Sequence, residues 1–459
     1  MQGQLEPICA LISPPGRAAI NVLRVSGHGS IGIVAQYFKP RAKLLNCRSH
    51  GVVLGIFHDQ NGKALDEVLC TVFRAPHSYT GEDCVEISCH GNPQITSRIL
   101  ENLLLEARLA EPGEFTLRAV LNGKMDLMQA EAVNDLVSAK SSKAQSAALM
   151  QVQGMLSHQL QQLLEDITAS RLRCELAIDF VDQDLPQIDL ADLQNRLEDI
   201  LSRAKSLHSG GSQGRYIREG IRVCLAGAPN SGKSSLFNAF LKFNRAIVTP
   251  HPGTTRDYLE ETVSLSGYAL VLYDTAGLRD SQDSIEREGI DRSRYLMREA
   301  DLVLYLVEAE QAGEASVSLP EDISAKTLWL ASKYDLVDQQ DPARKYSSNC
   351  DGSSPQLGIP VSVVTTGGLN ALQEAILDRF NLPQEELRSP LITNARHLAV
   401  LKRCVNSMES ALEALRKDAG FEFIAFDLIA ASKALEEILG VVTTDDLLNQ
   451  IFSNFCIGK

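Results

Sequence analysis

The sequence has 459 residues, a formal net charge of −14 at pH 7, 44% hydrophobic residues and 22% charged residues. This length indicates two to four domains; there is no apolar run of 18 residues and no signal-peptide pattern, so we expect a cytoplasmic protein without a membrane span. A chain this acidic is by itself a poor binder of nucleic acid, and an RNA substrate would need a basic partner or a local basic patch.

The first 120 or so residues are predicted to form a mixed α/β domain. Strand-like runs alternate there with turn signals and with one helix, near Gln94 to Ala107. The strand-like runs are Ala19 to Val25, Gly51 to Phe57, Glu67 to Phe73 and Cys84 to Cys89.

The pattern from Asp126 to about Leu207 is helical, with a break at Asp182 to Pro186. The cluster Ser209 to Gly214 predicts a hinge into a strand-rich domain that ends near Phe380. Helices return from Asn394 to the end of the chain. Helical segments on both sides of a strand-rich domain predict an inserted domain, with the two flanks packed together as one helical domain.

The strand-rich domain begins with a phosphate-loop motif, Gly227 to Ser234, directly after the apolar run Ile221 to Ala226. Glycines let backbone N–H groups turn toward phosphate oxygens, and the following helix N-terminus adds partial positive charge. Lys233 is expected to meet the β- and γ-phosphates, and the Ser234 hydroxyl is expected to bind Mg²⁺.

Two further segments follow in the order typical of GTPases. Thr255, in Gly253 to Asp257, is predicted to be the second hydroxyl ligand of Mg²⁺. The apolar run Leu270 to Tyr273 ends in Asp274-Thr275-Ala276-Gly277. There Asp274 can reach the metal through water, and the Gly277 N–H can meet the γ-phosphate.

The next strand, Thr327 to Leu330, leads into Ser332-Lys333-Tyr334-Asp335. Asp335 can accept two hydrogen bonds from guanine N1–H and N2–H₂, which adenine cannot supply. The motif therefore predicts GTP rather than ATP as the substrate.

Leu278 follows the Asp-Thr-Ala-Gly segment, where Ras-like GTPases carry the glutamine that orients the attacking water. Leucine cannot orient water, so another residue must. The acidic segment Asp283 to Glu288 lies just downstream. This segment either supplies the residue that orients the attacking water or is simply the solvated start of a helix. The charge pattern alone leaves both interpretations open.

Further segments, together with the nucleotide motifs, show that the whole chain closely resembles the MnmE (TrmE) family of tRNA modification GTPases. The most specific of them is the C-terminal Cys-Ile-Gly-Lys. The segments that carry the resemblance are Pro14 to Arg17, Leu23 to Gly27, Tyr79 to Asp83, Pro112 to Phe115, Leu127 to Ala132 and Cys456 to Lys459.

The resemblance implies a multidomain α/β and all-α protein. Residues 1–122 would form an α/β tetrahydrofolate-binding and dimerisation domain, 123–215 and 382–459 a helical domain, and 216–381 an inserted P-loop G domain. It also implies a homodimer that works with the flavoprotein MnmG as a heterotetramer. Together they would add a carboxymethylaminomethyl or aminomethyl group to C5 of the wobble uridine of certain tRNAs, with the one-carbon unit of a 5-formyl or 5,10-methylene tetrahydrofolate.

Site residues carry over by motif. Arg24, Glu82 and Lys124 would contact the folate, with Lys459 reaching it from the tail, and these types suit carboxylates and ring N–H donors. Cys456 matches the tail cysteine, for which a nucleophilic and a positioning role both remain open.

The resemblance implies activation by K⁺ and dimerisation instead of an arginine finger. The expected K⁺ ligands are Asn230, Thr249, His251 and Thr254, and Glu286 would orient the water. The catalytic set is therefore Glu286, Lys233 and Asn230. The expected GTP contacts are Asn230, Ser231, Gly232, Lys233, Ser234, Ser235, Thr249, Pro250, His251, Pro252, Gly253, Thr254, Thr255, Asp274, Thr275, Ala276, Gly277, Ser332, Lys333, Tyr334, Asp335, Ser362, Val363 and Val364.

Two positions depart from the family pattern. Ser332 replaces the asparagine of the guanine motif, and Ser362-Val363-Val364 replaces Ser-Ala-Lys/Arg. Asp335 should preserve guanine selectivity, while nucleotide affinity is put in doubt. The alternative function is a GTPase switch in ribosome assembly, which would lack the folate-like N-terminal segments and the Cys-Ile-Gly-Lys tail.

Overall fold

The structure is a computed structural model that describes residues 6–179, 189–244, 260–274, 286–310, 319–337, 358–387, 389–441, 445–453 and 455–458. Within these ranges the side chains of residues 212, 243, 244, 274, 286–292 and 445 are not described. The chain divides into two compact units. Unit 1 comprises Met1–Asn134, Val152–Leu164 and Lys433–Lys459, and unit 2 comprises Asp135–Gln151 and Glu165–Ser432.

Unit 1 contains a seven-stranded sheet of order β3-β4-β5-β6-β2-β1-β7. Its strands are β1 (Ile8–Leu11), β2 (Ile20–Ser26), β3 (Phe38–Lys39), β4 (Gly51–His58), β5 (Ala64–Phe73), β6 (Cys84–His90) and β7 (Arg108–Leu109). All neighbours are antiparallel except β1 and β7. The four predicted strands are confirmed as β2, β4, β5 and β6.

Four helices accompany this sheet: α1 (Ser30–Tyr37), α2 (Arg41–Leu45), α3 (Pro93–Leu103) and α4 (Glu114–Leu121). The predicted helix is confirmed as α3, where the Asn92 side chain caps the N-terminus by accepting from the Gln94 N–H. The core between helices and sheet is apolar, with fully buried Phe57, Ile87 and Leu103.

The predicted helical pattern is confirmed on both sides of the second sheet. The preceding helices are α5 (Leu127–Ser138), α6 (Ser142–Val152), α7 (Met155–Asp179), α8 (Leu190–Ser209) and α9 (Gly211–Glu219). Long helices after the sheet, α14 (Ala395–Arg416) and α15 (Phe421–Leu439), are followed by α16 (Asp445–Phe452). Helix α8 packs against α14, so the two flanks do meet. Among the described residues, no helix combines the length and the apolarity that a membrane crossing needs.

The predicted hinge at Ser209 to Gly214 is wrong. Only Gly210 separates α8 from α9, so the cluster is almost entirely helical. A Cβ at Gly214 would lie 2.0 Å from the Ile392 carbonyl oxygen, and one at Gly211 would lie 2.1 Å from Leu398 Cδ1. These glycines therefore permit close helix packing instead of supplying a flexible joint.

Unit 2 contains a six-stranded sheet of order β13-β12-β11-β8-β10-β9. Its strands are β8 (Ile221–Gly227), β9 (Glu260–Leu265), β10 (Tyr268–Asp274), β11 (Leu302–Glu308), β12 (Thr327–Ser332) and β13 (Ile359–Pro360). Only β9 is antiparallel to its neighbour. Its helices are α10 (Lys233–Asn244), α11 (Glu286–Glu299), α12 (Glu321–Ser324) and α13 (Asn370–Arg379). Because β8, β10 and β12 run parallel, the motifs that follow them meet at one edge of the sheet.

Candidate functional site

The phosphate loop connects β8 to α10 and depends on residues with positive φ. Gly227 has φ +139°, and a Cβ there would lie 2.4 Å from the Leu306 carbonyl oxygen. Asn230 has φ +65°, a left-handed conformation that asparagine tolerates better than most residues. The Asn230 side chain is exposed.

Lys233 is the first residue of α10 and its side chain is buried. Its Nζ donates hydrogen bonds to the carbonyl oxygens of Gly227, at 2.9 Å, and Ala228, at 2.6 Å. The cation is therefore held against the loop that it is expected to serve. Ser234 and Ser235 follow in the first turn of α10, and both are exposed, so their hydroxyls are accessible beside the positive end of the helix dipole.

Ser332 lies beside the phosphate loop. A Cβ at Gly232 would be 3.8 Å from Ser332 Cβ, and the buried Ser332 hydroxyl donates to the Val307 carbonyl oxygen at 3.2 Å. The end of β12 and the loop after β8 thus meet, as expected for a motif that joins base and phosphate recognition.

Asp335 is held by the Ser362 hydroxyl, which donates to Asp335 Oδ1 at 2.7 Å. The same hydroxyl accepts the N–H groups of Val364 and Thr365, both at 3.2 Å. The sequence predicted residues 362–364 only as GTP contacts, and it did not reveal that Ser362 orients the Asp335 carboxylate. The side chains of Val363 and Val364, which follow Ser362, are exposed to solvent.

Lys333 has φ +57° and pairs with Glu308 at 2.6 Å, while Tyr334 packs against a small cluster with Ala331 and Val337. Glu308 was also missed, because nothing in its sequence context distinguishes it from an ordinary residue at a strand end. The pair holds the Lys333 side chain next to β11.

Several predicted site residues lie outside the described residues. For Asp274 and Glu286 the backbone is described, at the end of β10 and the start of α11, but the side chains are not. The other residues outside the description are Thr249, Pro250, His251, Pro252, Gly253, Thr254, Thr255, Thr275, Ala276, Gly277, Leu278 and Lys459.

A second polar cluster lies in unit 1, around Arg24. The register of β2 and β6 pairs Arg24 with Glu86, and Arg24 Nη2 donates to Glu86 Oε1 at 2.7 Å. The guanidinium also lies over the rings of Tyr79 and Phe115, with centroids at 5.1 and 5.3 Å. Sequence reasoning found Arg24 but missed these three partners.

Glu82 belongs to the same cluster. It is bonded to Ser26, which lies two residues after Arg24 on β2. The Ser26 hydroxyl donates to Glu82 Oε2 at 2.9 Å, and it also bonds the Thr80 hydroxyl at 2.7 Å. Arg118 Nη1 lies 3.2 and 3.3 Å from the two carboxylate oxygens. Arg118 is only 3% exposed, so Glu82 forms its salt bridge with a buried cation.

Lys124 lies next to Glu82 along the surface. A Cβ at Gly81 would be 3.3 Å from Lys124 Cγ, and Lys124 Nζ donates to the Pro76 carbonyl oxygen at 3.0 Å. Two of the expected folate residues are therefore brought together through Gly81.

The C-terminal segment up to Gly458 packs against unit 1 residues Leu127, Gly113 and Ile12. Phe452 and Phe455 are buried with Leu127, and this packing anchors the C-terminal segment. The Cys456 carbonyl oxygen accepts the Gly113 N–H at 3.4 Å. The Cys456 side chain is exposed. A Cβ at Gly458 would lie 3.0 Å from Ile12 Cα. Ile12 packs in the same small cluster as Phe115 and Tyr79, the two rings that flank Arg24.

Comparisons with known proteins assign the chain to a family. A family model described as GTP-binding protein TrmE N-terminus matches residues 7–124, and one described as MnmE helical domain matches residues 127–456. The chain belongs to the MnmE (TrmE) family. The expected combination of an N-terminal TrmE domain, a helical domain and a P-loop GTPase domain is confirmed, and the chain is a GTP hydrolase.

Relatives that are described as tRNA modification GTPase MnmE match the full length. The protein of Aquifex aeolicus is 41% identical over 99% of this chain and 100% of its own length, and that of Moorella thermoacetica is 42% identical over 99% of each. Among solved structures, the G domain of the T. maritima FeoB iron transporter is 29% identical over 34% of this chain and 97% of its own. Its TM-score of 0.22 is too low for a structural comparison.

Proposed function

We propose that this GTP hydrolase modifies tRNA, placing a carboxymethylaminomethyl or aminomethyl group on C5 of the wobble uridine. It would do so in the cytoplasm together with an MnmG-type flavoprotein, as a heterotetramer, with a folate one-carbon unit. One observation supports this proposal: Gly458, in the C-terminal segment, packs against Ile12, which shares a small cluster with Tyr79 and Phe115, the two rings beside Arg24. A GTPase that acts only as a switch would not need its C-terminal segment close to a folate site.

The Arg24 cluster suits a tetrahydrofolate derivative. Ser26 and Arg118 hold the Glu82 carboxylate, and a carboxylate has about four acceptor positions, so some remain for ring N–H donors. Lys124 supplies a cation for the carboxylates of a glutamate tail, and Lys459 would add another. The aromatic rings of Tyr79 and Phe115 provide apolar surface beside Arg24.

In the nucleotide site, Asp335 would accept guanine N1–H and N2–H₂ with its carboxylate already oriented by Ser362. Lys233 would exchange its two carbonyl partners for the β- and γ-phosphates. Mg²⁺, held by Ser234 and Thr255, would offset phosphate charge.

K⁺ would be held by Asn230, Thr249, His251 and Thr254, close to the transferring phosphoryl group, where it would offset developing charge as an arginine finger does in other GTPases. Glu286, at the start of α11, would orient the attacking water.

Homodimerisation is supported by an apolar stripe on the first sheet. Val52, Leu54 and Ile56 alternate along β4 and are exposed, and Leu69 on β5 is paired with Leu54 and also exposed. Exposed apolar residues at adjacent sheet positions favour a partner surface. We assign this role to the domain at residues 1–122, with the G domain at 216–381 inserted between helical segments 123–215 and 382–459.

The test is nucleoside mass spectrometry of tRNA from a strain that lacks this protein. The modified wobble uridine should disappear, return with the wild-type gene, and stay absent with Glu82→Gln, while purified Glu82→Gln keeps GTP hydrolysis. Unchanged wobble uridine together with defective ribosomal subunits in a sucrose gradient would instead establish the ribosome-assembly alternative.

A further inference from the structure

The acidic residues of this chain are unevenly distributed. Between Glu6 and Asp59 there is none over 52 residues, although the whole chain has 58 and a net charge of −14. The same stretch has six cationic residues, namely Arg17, Arg24, Lys39, Arg41, Lys43 and Arg48. This part of unit 1 is therefore a positive region in a negative protein.

Four of the six cations are concentrated around the short helix α2. Lys39 precedes it on β3, Arg41 and Lys43 lie in it, and Arg48 follows three residues after its end. All four are exposed. In the described part of the chain, no ion pair joins any of the four to a carboxylate, whereas Arg24 is paired with Glu86.

Arg74 joins these cations and fixes the backbone that carries them. Its Nη2 donates to the Leu45 carbonyl oxygen at 2.7 Å, and its Nε donates to that of Cys47 at 3.0 Å. The Gly51 N–H donates to the Arg48 carbonyl oxygen at 3.0 Å, which secures the turn after α2. We call Lys39, Arg41, Lys43, Arg48 and Arg74 the α2 basic surface.

The nearest carboxylate by sheet register is set back from this surface. Lys39 lies on β3, the edge strand, and pairs with Ile56, which on its other side pairs with Glu67. One strand therefore separates the cation from the anion. Lys39 therefore has no carboxylate as its direct strand neighbour, while the Asp83 carboxylate accepts from the Ala75 N–H, next to Arg74.

We propose that the α2 basic surface binds the phosphate backbone of tRNA, an inference that rests on the proposed function in taking tRNA as the substrate. Exposed lysine and arginine side chains gain affinity for RNA by neutralising phosphates and releasing counterions. Such contacts position the nucleic acid without reading its sequence. The chain as a whole carries a net negative charge that repels RNA, so a group of exposed cations without an ion pair among the described residues is where a tRNA can approach.

A membrane surface fits these residues less well. An interfacial helix needs an apolar face directed outward, and of the two leucines of α2 only Leu45 is exposed, because Leu44 is buried. The length of α2, five residues, also gives little apolar surface. The observations therefore favour RNA.

The test compares two triple variants of the full chain that carry the same charge. The first is Arg41→Gln, Lys43→Gln, Arg48→Gln. The control is Arg98→Gln, Lys402→Gln, Lys433→Gln, whose cations are exposed and, within the described ranges, have no ion pair. Each variant removes three positive charges, so both change the net charge from −14 to −17.

Binding of unmodified tRNA is measured by fluorescence anisotropy over a range of salt concentrations. The first variant should bind at least about tenfold more weakly at low salt, and the slope of log K against log [salt] should become shallower by about 2 to 3. The control should match the wild type. GTP hydrolysis and thermal unfolding of both variants should equal the wild type, which shows that both are folded.

Equal tRNA affinity and equal slope for the two variants would overturn the proposal. Wobble-uridine modification that still depends on this protein would then leave the proposed function intact, since that outcome is read by mass spectrometry and not by binding. Loss of binding to phosphatidylserine vesicles with tRNA binding unchanged would also overturn it, because the surface would then serve a membrane.

Discussion

Arg118 joins Glu82 to Glu114 through one buried guanidinium. Its Nη1 donates to Glu82 at 3.2 Å and its Nη2 to Glu114 Oε1 at 3.0 Å. Glu114 in turn accepts from Arg108 at 2.6 Å. The carboxylate expected to bind the folate ring is therefore oriented by a network of charges whose central guanidinium is buried, and Arg118 is a positioning residue in this arrangement.

We expect Arg118→Met to weaken binding of 5-formyltetrahydrofolate by about tenfold or more, since a hydrogen bond to a charged group contributes about 1.5–3 kcal/mol. Arg118→Lys should restore part of the affinity because it keeps a cation next to Glu82. Calorimetric titration measures both. GTP hydrolysis should be unchanged in each, and wild-type folate affinity in a folded Arg118→Met would show that Glu82 needs no orientation.

Glu114 gives the fold a dependence on pH. Burial raises the pKa of Glu114, but hydrogen bonds from Arg108, the Glu111 N–H and Arg118 outweigh burial, so that its pKa lies below the ordinary value. A lowered pKa contributes stability above the unfolded value of about 4.3, and this contribution is lost as the pH falls through the folded pKa.

Urea unfolding between pH 3 and pH 7 tests this expectation. The free energy of unfolding of the wild type should fall more steeply below about pH 4.5 than that of Glu114→Gln. Glu101→Gln is the control, because Glu101 is exposed and should leave the wild-type profile unchanged. Parallel profiles for wild type and Glu114→Gln would show that the network does not bias the protonation of Glu114.

Sequence predicted the strands and motifs well because their signals are local. Alternating apolar residues gave β2, β4, β5 and β6, and the guanine motif follows a strand as expected. The contacts that orient the site are not local: Arg118 meets Glu82 across 36 positions, and Ser362 meets Asp335 across 27. The prediction of a hinge at Ser209 to Gly214 was wrong for the same reason, because packing against Ile392 and Leu398 decides the role of the glycines there.

Asn230 allows a clean test of K⁺ activation. We expect faster GTP hydrolysis in K⁺ than in Na⁺, since the larger ion suits the proposed ligands Asn230, Thr249, His251 and Thr254. Asn230→Gly should remove most of this difference, because glycine keeps the positive φ of +65° and deletes only the side chain. Asn230→Ala is less informative, since alanine at positive φ costs about 1 kcal/mol. Equal rates in the two salts for the wild type would refute the K⁺ site.

Glu286→Ala should leave GTP binding nearly intact and lower turnover by about 10² or more, the scale of a lost water-positioning group. Binding of a fluorescent GTP analogue and steady-state phosphate release separate the two effects. Glu288→Ala, two residues along the same helix, is the control. Unchanged turnover in Glu286→Ala would show that Glu286 does not orient the water and is only part of the solvated start of a helix.

Ser332→Asn should tighten GTP and GDP binding together by several-fold. The serine hydroxyl donates to Val307 and lies beside the phosphate loop, where a Cβ at Gly232 would be 3.9 Å from its oxygen. An asparagine amide at this position would reach the loop and add a hydrogen bond, which contributes roughly 1 kcal/mol. Both nucleotides should gain equally, because the phosphate loop serves both.

Asp335→Asn should behave differently from Ser332→Asn. The new amide can no longer accept from guanine N1–H and N2–H₂ as a carboxylate does, but it can donate to the C2 carbonyl of xanthine, so GDP binding should weaken and preference should shift toward XDP. The Ser362 hydroxyl, which now donates to Asp335 Oδ1 at 2.7 Å, can still donate to the amide oxygen and keep the side chain in place. Calorimetric titration of both variants with GDP and XDP decides the matter: if Ser332→Asn weakens GDP binding, a residue other than Ser332 already bridges base and loop.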